Sequence, residues 1–79
     1  MARRGSGRYD FGMLKVTVNG EQHELADGAS VKDLVEMLKL QGKPVAVEVN
    51  REVVPKRAHA NTVLHEGDVV EVVTLVGGG

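Results

Sequence analysis

From Leu14 to Leu25 two runs of residues flank Asn19-Gly20, and this local pattern constrains the fold more than any other feature. Leu14, Val16 and Val18 alternate with Lys15 and Thr17, the period of a strand with one buried face. Asn-Gly between two strands is the strongest short-range hairpin signal, because both residues tolerate the positive φ that a two-residue turn demands. Glu21–Leu25 then returns as a more polar strand, at or near the edge of a sheet.

Asp27-Gly28 marks a loop, and Ser30 stands where a helix N-cap belongs, with Asp33 three residues on completing a capping box. Val31, Leu34, Val35 and Leu38 fall at i, i+3, i+4 and i+7, which predicts one apolar helical stripe about three turns long. Gly42 and Pro44 are the expected stop. Val45, Val47 and Val49 predict a third strand, Asn50-Arg51-Glu52 a turn, and Val53-Val54 a short return before Pro55. Ala58–Asn61 reads as irregular, Glu66-Gly67-Asp68 as another turn, and Val69–Val76 as the longest apolar strand. Two strands, one helix and three more strands predict an α+β layer arrangement. In it the helix stripe packs on Val16, Val18, Val47, Val70 and Val72.

The segment Met1–Gly12 has no apolar periodicity and no apolar run, so it reads as a disordered extension rather than a signal peptide or anchor. A cloning remnant or an upstream start codon accounts for it, with Met13 the native start. The expected folded part is Met13–Val76, followed by a flexible tail Gly77–Gly79. A domain this small forms a thin core and offers no deep pre-formed cleft, which favours a carrier or binding module over an enzyme.

Charge narrows the partners. The chain carries −1 in total, and the extension holds Arg3, Arg4, Arg8 and Asp10, so the domain itself carries −3. Its only aromatics, Tyr9 and Phe11, also lie in the extension, which leaves no stacking platform for bases. Nucleic-acid binding through the basic arm is the weaker alternative. With no cysteine, disulfides and thiolate chemistry are excluded, and a reducing cytoplasm is the expected location. No stretch approaches the roughly 20 apolar residues of a membrane span.

No catalytic constellation stands out. His23, His59 and His65 lack the spacing of a metal site, so none is expected, and His59 and His65 read as loop residues. Ser30 is better explained as a helix cap than as a nucleophile. Gly67-Asp68 is not a phosphate loop, because no Gly-Lys-Ser/Thr follows. Lys56 and Arg57 read as a solvated loop. If Glu71 faces solvent, period two places Val69, Val73 and Leu75 on the same face, an apolar patch suited to partner docking.

The order of elements, finished by a free Gly-Gly, resembles the β-grasp fold of ubiquitin and its bacterial sulfur-carrier relatives. The pattern is most similar to the ThiS-type sulfur carriers: Val47-Glu48-Val49-Asn50, then Val54-Pro55-Lys56, then Leu64-His65-Glu66-Gly67-Asp68, and a last strand closing on Gly77-Gly78-Gly79. A third terminal glycine and the extension are the departures. The resemblance implies that a ThiF-type enzyme uses ATP to adenylate the carboxylate of Gly79. Sulfur from a persulfide then converts it to a thiocarboxylate, which a ThiG-type thiazole synthase accepts for thiamine. Gly77 and Gly78 would thread the partner's channel, where a side chain would jam. The carrier would bind no cofactor and catalyse nothing. A MoaD-type or cysteine-synthesis carrier, or a β-grasp module that never meets ATP, are the alternatives.

Overall fold

The computed structural model describes residues 12–75. Five strands and one α-helix form in the expected order: β1 (Met13–Val18), β2 (Glu21–Ala26), α1 (Val31–Met37), β3 (Val45–Val49), β4 (Glu52–Val54) and β5 (Val69–Thr74). A 3-10 helix, Lys56–Asn61, lies between β4 and β5. The sheet order is β2-β1-β5-β3-β4, with β1 and β5 parallel and the other neighbours antiparallel. The last strand in sequence is therefore the central strand in space. Both edges are poor templates for pairing with another chain: β2 is polar and β4 has only three residues.

Alternation sorts the sheet into two faces. Val16, Val18, Val47, Val70 and Val72 point inward and meet Val31, Leu34 and Val35 of the helix, as the sequence pattern predicts. Leu14, Leu25, Ala29 and Leu64 complete the core. Val31, Leu34 and Val70 are fully buried. Burying one such side chain contributes about 1.5–3 kcal/mol, so a core this small depends on nearly every member.

The helix N-terminus forms as its sequence requires. The Ser30 hydroxyl accepts from the Asp33 N–H at 3.2 Å, and the Asp33 carboxylate accepts from the Ser30 N–H at 2.9 Å. The helix end departs from expectation. α1 has seven residues, about two turns, and ends well before Gly42 and Pro44. Lys39 takes a left-handed φ of 62°, its N–H donates to the Glu36 carbonyl, and the Leu40 N–H donates to the Val35 carbonyl. That pair of bonds is a Schellman closure, with Lys39 in the place glycine usually takes. Leu38 caps the helix, and it and Leu40 pack partly buried against the core.

Three further expectations are corrected, two downstream of the helix and one before β1. Ala58–Asn61 belongs to the 3-10 helix, which Pro55 starts with a φ of −63° and an Ala58 N–H bond to its carbonyl. His59 lies within it, 8% exposed, and its Nε2 donates to the Val54 carbonyl at 3.1 Å. Buried and tied to the last residue of β4, it is a structural residue of the 3-10 helix and not a loop one. Gly12, assigned above to the extension, accepts from the Asp27 N–H at 2.6 Å and continues the β1–β2 ladder.

Candidate functional site

The expected reactive residue Gly79 and the channel residues Gly77 and Gly78 lie outside the described residues, as do Val76 and Met1–Phe11. What the structure describes is the platform from which the chain leaves the sheet. β5 is held on both sides over its first half. Its pairs with β1 are Thr17↔Val69 and Val18↔Val70, and β3 pairs with it from Val49↔Val70 to Val45↔Thr74. β1 then stops, and the turn residue Asn19 takes its place: its Nδ2 donates to the Val72 carbonyl at 3.0 Å, and its Oδ1 accepts from the Val72 N–H at 2.9 Å. Beyond Val72 only the β3 side remains paired, ending with the Leu75 N–H on the Pro44 carbonyl at 2.8 Å.

The motif residues behind the family resemblance secure the other end of β5. Leu64 is 1% exposed in the core. Gly67 takes a φ of +86°, which glycine adopts without strain, so the chain can reverse into the strand. The Asp68 carboxylate accepts from the His65 N–H at 2.8 Å and from Asn50 Nδ2 at 3.0 Å. Asn50 Oδ1 in turn accepts from the Val69 N–H at 3.0 Å. The Asn, Gly and Asp of the motif thus set where β5 begins. They hold no reacting group.

Among the described residues nothing covers the outer face of the sheet. Val69, Val73 and Leu75 are 50%, 55% and 50% exposed, while Val70 and Val72 are buried, so the expected alternation holds from Val69 to Val73; Thr74 is exposed too, and the strand ends there, short of the expected Val76. Sequence reasoning missed the neighbours. Ala46 pairs with Val73 on this face, and Val53, 70% exposed, pairs with Glu48. Glu48 also stands directly opposite Glu71. Two carboxylates face to face across strands cost about 0.2–1 kcal/mol, so the apolar face carries an unfavourable acidic pair at its centre. Ala46 and Val73, and Glu48 and Glu71, meet only through the β3–β5 register, which no local signal in the sequence gives.

The remaining polar candidates do not assemble. His23 is half-buried on β2 near Glu21, and His65 is exposed beside Asp68. Among the described residues no three His, Asp or Glu side chains gather as a metal site requires. Among them, too, no helix is long and apolar enough to cross a membrane.

Comparison with known proteins agrees with this architecture. The profile of the ThiS family matches residues 16–79. The chain is 39% identical to the sulfur carrier protein ThiS of Thermus thermophilus, over 81% of this chain and 98% of that protein. It is 36% identical to a thiazole synthase of Paramagnetospirillum magneticum, over 84% of this chain but only 20% of that protein, so it spans about a fifth of that relative. The crystal structure of the thiamine biosynthesis protein ThiS from Geobacter metallireducens superposes with a TM-score of 0.71 at 36% identity, covering 84% of this chain and all of that one. The fold is accordingly the ubiquitin-like β-grasp, and the chain belongs to the ThiS family of sulfur carriers.

Proposed function

We propose that the protein carries sulfur on the carboxylate of Gly79 for the making of the thiamine thiazole. The supporting observation is the route of the chain. The central strand, pinned at Asp68, Val69 and Val72, runs directly toward Gly77–Gly79 without a polar linker. Three residues drawn out reach about 10 Å, enough to enter a pocket while the sheet stays outside it.

A carboxylate resists nucleophiles, and oxide is a poor leaving group. Attack of the Gly79 carboxylate on the α-phosphorus of ATP expels pyrophosphate and makes the acyl carbon electrophilic, with AMP as leaving group. Sulfide, or the outer sulfur of a persulfide followed by thiol cleavage of the S–S bond, then displaces AMP and leaves a thiocarboxylate. A ThiF-type adenylating enzyme supplies the first step and a persulfide donor the sulfur. A ThiG-type thiazole synthase takes the product. The likeness to one segment of a longer thiazole synthase supports that last assignment, since that relative carries a similar stretch in its own chain. Val69, Val73 and Leu75 serve as the docking face, and the domain contributes no catalytic group or cofactor.

Incubation with the adenylating enzyme, ATP and a sulfide source should shift the intact mass by one oxygen-for-sulfur exchange, placed on Gly79 by fragmentation. Removing Gly79, or adding a residue after it, should abolish the shift and leave the fold untouched. An exchange that survives loss of Gly79 refutes the reading, and a wild-type chain that never exchanges is a non-reactive binding module. Exchange that proceeds normally while only a molybdopterin or cysteine synthase accepts the sulfur would move the pathway, not the chemistry.

A further inference from the structure

A second surface stands at the tail end of the sheet, on the helix side. There the end of α1, the α1–β3 connection and the 3-10 helix enclose a cleft of about 360 Å³. Its floor is apolar: Val35, Leu40 and Val45. Its rim is cationic, with Lys32 from the helix, Lys43 from the connection, and Lys56 and Arg57 from the 3-10 helix. Glu36 is the one carboxylate among its walls.

That charge is segregated against the background of the domain. Met13–Val76 holds seven Lys and Arg and ten Asp and Glu, a net of −3. Four of the seven cations line this one cleft with a single one of the ten acids. Lys32 is paired with Glu36 at 4.0 Å, whereas Lys43, Lys56 and Arg57 form no ion pair among the described residues. Clustered like charges repel one another and focus a positive potential on the cleft.

Position gives the cleft its role. Lys43 immediately precedes Pro44, whose carbonyl holds the Leu75 N–H, and Val45 on the floor pairs with Thr74. The cleft therefore opens within two residues of the point where the chain leaves the sheet.

We propose that this cleft docks an acidic segment of the thiazole-synthase partner, seating an apolar side chain on Val35, Leu40 and Val45 and its carboxylates on Lys43, Lys56 and Arg57. This rests on the carrier reading above. Charge complementarity selects an acidic partner. The apolar floor selects a protein segment over a free phosphate, which has nothing to bury there. Gripping the domain beside the tail, on the face opposite Val69 and Val73, restrains the angle at which Gly77–Gly79 enters the partner.

Titration calorimetry of the full chain against a ThiG-type thiazole synthase tests the proposal. Lys43→Glu with Arg57→Glu should weaken binding at least tenfold at 0.05 M salt. The milder Lys43→Gln with Arg57→Gln should weaken it by less, in the same direction, with an unchanged urea midpoint. Raising salt to about 0.3 M should erase most of the difference, because screening shortens the reach of surface charges below 10 Å. Arg51→Glu, at the far end of the sheet, should leave binding within twofold. Affinity within twofold for the double reversal, or equal weakening by Arg51→Glu, overturns the proposal. So does an effect confined to the adenylating enzyme. The sulfur exchange on wild-type Gly79 is read separately, so loss of the carrier reading and loss of the cleft proposal give different results.

Discussion

The two tight turns of the sheet are built alike and placed at opposite ends of the central strand. Asn19-Gly20 joins β1 to β2 and Asn50-Arg51 joins β3 to β4, each with both residues at positive φ. In each, the asparagine N–H donates to a β5 carbonyl, Val70 at 2.9 Å and Val69 at 2.7 Å. In each, the side-chain oxygen accepts from a β5 N–H, Val72 and Val69. β1 stops at Val18 and β3 at Val49, and beyond each an asparagine amide carries the pairing with β5 one step further. The difference is surroundings. Asn19 makes partly buried bonds on the tail side of β5, whereas Asn50 makes exposed ones where the strand begins. The tail-side fastening should therefore matter more.

Replacing the asparagines one at a time measures that inequality. Asn19→Ala removes two side-chain bonds, each contributing about 0.5–1.5 kcal/mol, and places alanine at a φ of 51°. A loss of about 2–3 kcal/mol in urea unfolding is expected, with slower or weaker docking of partners because Val73 and Leu75 lose their nearest anchor. Asn50→Ala removes the bonds to Asp68 and Val69 in water-exposed surroundings, and about 1–2 kcal/mol is expected. Equal losses, or the reverse order, would show that burial does not decide between the two turns.

The same comparison shows which parts of the fold were legible. The Asn19-Gly20 hairpin, the Ser30–Asp33 capping box and the in-and-out alternation of β5 are local, and the residues alone predict them. The helix end is not legible, because Lys39 adopts a glycine-like conformation. Nothing about lysine announces it, and Gly42 and Pro44 supplied a plausible but later stop. The 3-10 helix spans too few residues for its period to register, so nothing local signals the burial of His59. Asn50 and Asp68 are legible as motif residues, but their hydrogen bond joins positions 18 apart that only the β3–β5 pairing brings together. Non-local placement also hid the Glu48–Glu71 pair and gathered Lys32, Lys43, Lys56 and Arg57 around one cleft.

The smallest effect expected from the comparison has the opposite sign. The two turns differ at their second residue: Gly20 has a φ of 85° and Arg51 a φ of 72°. This conformation costs an L-residue about 1–2 kcal/mol, and glycine adopts it without that cost. Arg51→Gly relieves the strain, but glycine also gives the unfolded chain more freedom, which takes back about 0.5–1 kcal/mol. The Arg51 side chain is exposed and forms no ion pair among the described residues, so little else changes. The balance is a stabilisation of about 0.5–1 kcal/mol, read as a higher urea midpoint at constant slope. Asn50 must keep its bonds for this sum to hold, and hydrogen exchange at the Val69 amide reports on them directly. Gly20→Arg, the reciprocal exchange, should destabilise by a similar amount. Sulfur loading at Gly79 should be unchanged in Arg51→Gly, because Arg51 lies at the end of the sheet opposite the tail. A midpoint that falls instead would mean that Arg51 has a stabilising partner in solution and that the two turns are less alike than their backbones.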